Sequence, residues 1–136
     1  MKLSPWLKVL ALILGFAATL AAAAPLKIGF AQTGAESAWR TANSESMKAE
    51  AAKRGIDLKF SDGQGKQENL IRALRSFIAQ KVDAIVLAPL VETGWDPVLR
   101  DAKRAGIPVI ITDRSIATTD ESLYACFIGS DFLEEG

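Results

Sequence analysis

Apolar runs of strand length, each followed by a helix-forming segment, constrain this 136-residue chain more than any other feature. Residues 26–32 (LKIGFAQ), 84–89 (AIVLAP) and 107–113 (IPVIITD) show little polar alternation, as strands covered on both faces do. Residues 56–62 (IDLKFSD) alternate in strand fashion, and residues 123–129 (LYACFIG) make a fifth strand. Between them, residues 37–54 have helix-forming composition and end before Gly55. Residues 68–80 (ENLIRALRSFIAQ) set Leu70, Ile71, Leu74, Phe77 and Ile78 on one helical face. Residues 97–106 begin on Pro97 and stop at Gly106, residue types that open and close helices. The order βαβαβαβ, with the fifth strand after it, predicts an α/β fold: a parallel sheet with helices on both faces. Right-handed crossovers bring every strand's carboxyl end to one rim, where ligands of open α/β sheets bind.

Ahead of the first strand, Lys2 and Lys8 accompany an uncharged run over residues 9–20, and small residues follow. That is the order of a secretory signal. We expect a signal peptide over residues 1–23, cut after Ala21-x-Ala23, so that the mature chain starts at Ala24 and reaches the periplasm. The other reading, an uncleaved membrane anchor, has a run barely long enough to span and diluted by Ala. Lys2 and Lys8 are the leader's only charges, so residues 24–136 hold 14 basic against 16 acidic residues, a formal charge of about −2. No basic stripe is present, which argues against nucleic acid as a partner. Histidine is absent, and Cys126 is the only cysteine. These counts remove imidazole and thiolate metal sites, Ser–His and Cys–His nucleophile pairs, and any internal disulfide. No catalytic residue, metal or cofactor is expected. Cys126 stands in an apolar run and is expected to be a buried, inert thiol.

The segments that follow the strands are TGAESAWR, DGQGKQEN, PLVETGW, DRS and GSD, and they gather polar and aromatic side chains at one rim. Trp39 either packs into the core or offers its plane to a ligand. Arg40 is either a solvated surface group or a donor, and Glu36 either complements the helix N-terminus or accepts from a ligand. Together the three suit a carbohydrate. The C–H face of a sugar stacks on an aromatic plane, while Arg and carboxylate groups meet its hydroxyls. Asp113 and Arg114 end an apolar strand, either as a local ion pair or as a second pair of hydroxyl partners, and spacing does not choose between these. Gly63-x-Gly65 resembles the start of a dinucleotide fingerprint, but Glu68 stands at the third glycine position and the motif follows the second strand. It reads as a tight turn from which Gln64 reaches the rim.

FAQTGAESAWR, DGQGKQEN, VDAIVLAPLVETGW, AGIPVIITDRS and the leader together resemble the periplasmic sugar-binding proteins of ABC transporters, ribose/galactose type. Their fold is that of type I periplasmic binding proteins, with flavodoxin-like lobes. The ES-x-WR stretch followed by DRS is similar to the members that take galactofuranose. The resemblance implies that Trp39 is a stacking wall, that Arg40, Asp113 and Arg114 bond sugar hydroxyls, and that Glu36 accepts. Ser37 and Ala38 fall in the same stretch, and Gln64 and Asp131 are outlying contacts. Arg40, where ribose-type relatives carry no basic residue, tilts the ligand from ribose to galactofuranose. The implied partners are a monosaccharide, galactofuranose ahead of ribose, galactose or another pentose or hexose, and an ABC permease.

Members of that family have two lobes joined by a hinge, and residues 24–136 match most of the N-terminal lobe, with the first hinge crossing near Ser130 and Asp131. A single lobe is expected to hold half a cleft and to bind sugar weakly or not at all. Two other classes compete. An effector-sensing domain of a LacI-type repressor shares the fold but begins with a DNA-binding helix-turn-helix, where this chain has an apolar leader. An enzyme on a flavodoxin-like sheet needs groups this chain lacks: His, a phosphate-cradling loop and paired carboxylates.

Overall fold

The computed structural model describes residues 23–129, so leader residues 1–22 and the outlying Asp131 lie outside them. The elements follow the expected order: β1 Lys27–Gln32, α1 Ala38–Lys53, β2 Asp57–Asp62, α2 Gln67–Ala79, β3 Ala84–Leu87, α3 Asp96–Arg104, β4 Val109–Asp113, a 3-10 turn Glu121–Leu123 and β5 Cys126–Gly129. The strands form one parallel sheet in the order β2-β1-β3-β4-β5. From β1 the chain moves outward to β2, then crosses back over β1 to β3. Strand order therefore reverses between β1 and β3, which opens a crevice at their carboxyl ends.

Alternate residues of β1 face opposite helices. Phe30 meets Phe60 of β2 with ring centroids 5.7 Å apart, and the Lys48 ammonium of α1 lies 4.4 Å from the Phe60 ring. Gly29 faces the other way, where the Phe77 ring of α2 lies so close that any Cβ at position 29 overlaps it. On this second face the apolar stripe of α2, Leu70, Leu74 and Phe77, packs with Ile85, Leu87, Leu99, Val109 and Ile111 into a continuous core. Full burial of each such side chain contributes roughly 1.5–3 kcal/mol. Trp95 belongs to the same core. It is 1% exposed, and its indole N–H donates to the Val91 carbonyl at 2.7 Å. Its place in the PLVETGW segment makes it a rim aromatic in the sequence; in the structure it turns inward and anchors the start of α3.

The first face is built differently. Helix α1 buries only Ser44 and Ala51, and its sequence AWRTANSESMKAEAAK holds no Leu, Ile, Val or Phe. At the far edge, β5 is exposed along its length. Leu123 is not part of that strand; it sits in the 3-10 turn and is buried. Cys126 is exposed, contrary to its expected burial. The run LYACFI is apolar, but among the described residues β5 has a neighbour on one side only, and α1 lies over β2 at the opposite end of the sheet.

Gly29→Ala is expected to destabilise the chain by about 1–3 kcal/mol, because a well-packed core resists added volume. Combining it with Phe77→Leu should cost less than the sum of the two changes in urea unfolding, since the smaller side chain vacates the overlapping space.

Candidate functional site

Strand β1 ends at Gln32, and α1 begins six residues later at the crevice. Ser37 is the N-cap, extended at φ −126°, and its Oγ accepts the Arg40 backbone N–H at 3.2 Å. That cap fixes the direction in which α1 leaves the sheet. Its hydroxyl is thus engaged locally, while Ala38 opens the helix from an exposed position. Trp39 follows with 55% of its surface exposed. Of the two roles the sequence left open, core packing is excluded.

Glu36 and Arg40 close on one another. Arg40 Nη1 donates to Glu36 Oε2 at 3.0 Å, and the arginine side chain is far more covered than the glutamate, at 16% against 52% exposed. The carboxylate lies back over the Cα of Gly34, so a side chain at position 34 displaces it. Glu36's own backbone N–H, and next the Arg40 guanidinium, hold its carboxyl below the usual glutamate range. Being exposed, the pair contributes little to stability. What it does is fix the guanidinium of the residue that follows an open indole in the sequence.

The second pair comes from β4. Asp113 has φ +70°, and the Arg114 N–H donates to the Thr112 carbonyl at 2.9 Å. A bond spanning two residues around a positive φ is a γ-turn, a strained conformation for a residue with a Cβ. The turn swings Asp113 out of the strand at the rim, half-buried, and leaves Arg114 exposed. The two residues form no salt bridge with each other or with any described residue, so the local ion-pair reading does not hold.

Both pairs stand at the carboxyl ends of parallel strands, hence on the same rim. Only β3 separates β1 from β4, so the strand ends lie two spacings apart, roughly 10 Å, the scale of a monosaccharide with its hydroxyls. Between them β3 runs out into Ala88 and Pro89, both buried and short. The Thr33 hydroxyl donates to the Ala88 carbonyl at 2.8 Å and ties β1 to β3 under the crevice. Gln64 stands farther out, exposed at φ +52° in the turn after β2, where its N–H donates to Asp62 Oδ1 at 2.7 Å. That bond confirms the tight turn expected of GQG.

Some rim features were missed in the sequence. A hollow of about 310 Å³ is lined by Leu90, Val91, Glu92, Arg114 and Ser115, on the β3–β4 side and without Trp39. A roomier hollow of about 530 Å³, among Ile78, Lys81, Asp83 and Gly106, lies at the other end of the sheet, away from every candidate residue. Gln32 was also passed over, although a glutamine closing an apolar strand signals a buried polar group in need of partners.

Two outcomes are expected. A carboxyl with a depressed folded-state pKa adds stability above its unfolded value and loses it as pH falls through the folded one. The Glu36–Arg40 pair should therefore persist through mildly acidic pH, with the Glu36 Cδ resonance titrating below the usual range and Arg40→Ala raising it part of the way back. At the γ-turn, Asp113→Ala should be less stable than Asp113→Gly by about 1 kcal/mol in urea unfolding, because only glycine relaxes a positive φ.

A model of the periplasmic binding protein domain matches residues 28–136. The chain is 57% identical over 118 residues to the galactofuranose-binding protein YtfQ of Escherichia coli (strain K12), covering 87% of this chain and 37% of that protein. Among solved structures, it is similar to the periplasmic binding protein component of the arabinose ABC transporter from Shewanella sp. ANA-3, bound to α- and β-L-arabinofuranose. The identity is 64% and the TM-score 0.79, over 80% of this chain and 36% of that one. A protein from Mycobacterium smegmatis in complex with β-D-fucofuranose gives 58% identity and a TM-score of 0.79, over 81% and 36% of the two chains. The chain thus spans little more than a third of the length of the curated relatives it matches.

Proposed function

The chain belongs to the periplasmic binding protein domain family, and on that premise we propose that it is the sugar-binding part of an ABC importer, taking a furanose, with galactofuranose first. The observation that carries this reading is the exposed indole of Trp39, in the first turn of the helix whose next residue, Arg40, is held by Glu36, on the same strand-end rim as Asp113 and Arg114. The three relatives named above are described with galactofuranose, arabinofuranose and fucofuranose, all five-membered rings. None is described as a repressor, which leaves the transport reading ahead of the effector-sensing one.

In this reading Trp39 receives the C–H face of the ring. Arg40 donates to a ring or hydroxyl oxygen, Asp113 accepts from vicinal hydroxyls and Arg114 donates to a third. Glu36 accepts where its second oxygen is free of Arg40. Ser37 and Ala38 line the turn, and Gln64 is peripheral. No bond is made or broken; the sugar is held and handed to a permease. The signal peptide delivers the chain to the periplasm. The lobe supplies one wall of the cleft, and in this reading a second lobe hinged to it supplies the other by closing over the sugar.

Residues 23–129 contain two indoles, Trp39 and Trp95, one exposed and one buried. Titrating the chain with methyl β-D-galactofuranoside at millimolar concentration should shift the Trp39 indole N–H resonance and leave that of Trp95 in place. Trp39→Ala should weaken binding about fivefold or more, since such contacts contribute roughly 1 kcal/mol beyond buried area. An equal response to methyl β-D-galactopyranoside would overturn the furanose assignment. A response that survives Trp39→Ala would overturn the stacking wall.

A further inference from the structure

We infer that Gln32 is the positioning residue of the binding wall: it never touches the sugar, but it sets where Trp39 and Arg40 point. The inference rests on the reading of Trp39 and Arg40 given above. Gln32 is 1% exposed, at the carboxyl end of β1. Its Oε1 accepts the Thr33 backbone N–H at 3.1 Å. Its Nε2 donates to Asn43 Oδ1 at 3.0 Å and to Ser44 Oγ at 3.3 Å. One carboxamide is therefore engaged at both ends, its oxygen on the residue just past β1 and its nitrogen on two consecutive residues of α1.

The gripped residues are informative. Asn43 lies four residues after Trp39, and Ser44 four residues after Arg40. On a helix, positions four apart stand one above the other on the same face. Gln32 thus holds α1 one turn below the two side chains proposed to meet the sugar. Little else does so at this end. Ser44 is the only buried residue in the N-terminal half of α1, and it is one of the two that Gln32 grips. The stacking of Lys48 on Phe60 and the burial of Ala51 hold the C-terminal half. A helix seated by apolar packing keeps its axis when one polar contact is lost. A helix end seated by a single carboxamide can shift when that contact goes, and indole and guanidinium move with it.

The same strand end anchors the rest of the rim. The Gln32 carbonyl accepts the Gly63 N–H at 2.8 Å, and the Thr33 carbonyl accepts the Gly65 N–H at 2.9 Å. The Ala88 N–H reaches the Ala31 carbonyl at 2.9 Å. These backbone bonds fix Gln32 itself, so its side chain is a stationary post against which α1 is set. A change at its carboxamide leaves them in place.

The test is a coupling measurement. Gln32→Met keeps the length and flexibility of the side chain and removes the amide. Affinity for methyl β-D-galactofuranoside is measured in the parent chain, Gln32→Met, Trp39→Ala and the double variant, with thermal unfolding checked for each. Gln32→Met should weaken binding roughly tenfold in the parent and by clearly less in the Trp39→Ala background, where only Arg40 is left to aim. Indole ¹⁵N relaxation of the sugar-free chain gives an independent readout: Gln32→Met should loosen Trp39 and leave Trp95 as rigid as before. Should Gln32→Met not fold, Asn43→Ala takes its place in the same cycle and should show the same coupling and the same loosening. The inference fails if the variant binds as the parent does, or if it weakens both backgrounds equally, which marks general destabilisation. If Trp39→Ala itself leaves affinity unchanged, the stacking reading has failed and this inference falls with it. If Trp39→Ala weakens binding while Gln32→Met does not, only the role of Gln32 is lost.

Discussion

The handedness of the crossover between parallel strands governs everything at this rim. A right-twisted strand feeding a right-handed helix returns to the sheet in one sense only. Because β1 sends the chain outward to β2 and the chain then returns past β1 to β3, α1 and α2 must cover opposite faces. The connections that leave β1 and β3, leading to α1 and α3, part at the carboxyl ends of those strands, and the gap is floored by Thr33, Ala88 and Pro89. No side chain needs to be carved away to form the crevice; the path of the backbone makes it. Trp39 and Asp113, far apart in the chain, both stand at this rim, one in the first turn of the helix that follows β1 and the other at the end of β4.

The two faces of the sheet are stabilised by different chemistry, and that division suits the site. Beneath α2 and α3 lies a dry core in which Leu70, Leu74, Phe77 and Trp95 are almost wholly removed from water. Beneath α1 the contacts are a carboxamide bonded to Asn43 and Ser44, a cation over an aromatic ring and one buried alanine. A rigid platform carries the strand ends, and a polar helix carries an indole that stays open to solvent. Strain is concentrated likewise: Asp113 at positive φ ends a strand whose remaining residues are regularly paired. Such strain is tolerated where the surrounding sheet fixes the backbone on both sides.

How much of this was legible follows from which signals are local. The stripe Leu70, Leu74 and Phe77 announces α2 because its period is that of a helix, and the β-α alternation announces the sheet. The two tryptophans were not separable. Each follows a strand by a few residues, and what sends Trp95 inward is an acceptor at the Val91 carbonyl and the start of α3 one residue later, neither of which the local pattern specifies. Cys126 misled because an apolar run implies burial only when something covers it, and β5 stands at an edge of the sheet among the described residues. The γ-turn at Asp113 left no trace in the sequence, since Asp-Arg after an apolar strand fits an ion pair as readily. Gln32 did leave one, a polar residue in FAQT, but its partners 11 and 12 residues onward depend on how α1 docks.

The convergence of the two segments on one ligand is best tested by intermolecular nuclear Overhauser effects between a bound furanoside and the chain. The account predicts that one sugar molecule shows contacts at once to the indole protons of Trp39 and to the side-chain protons of Asp113 and Arg114. Contacts confined to the hollow between Leu90 and Ser115, with none to Trp39, would contradict it.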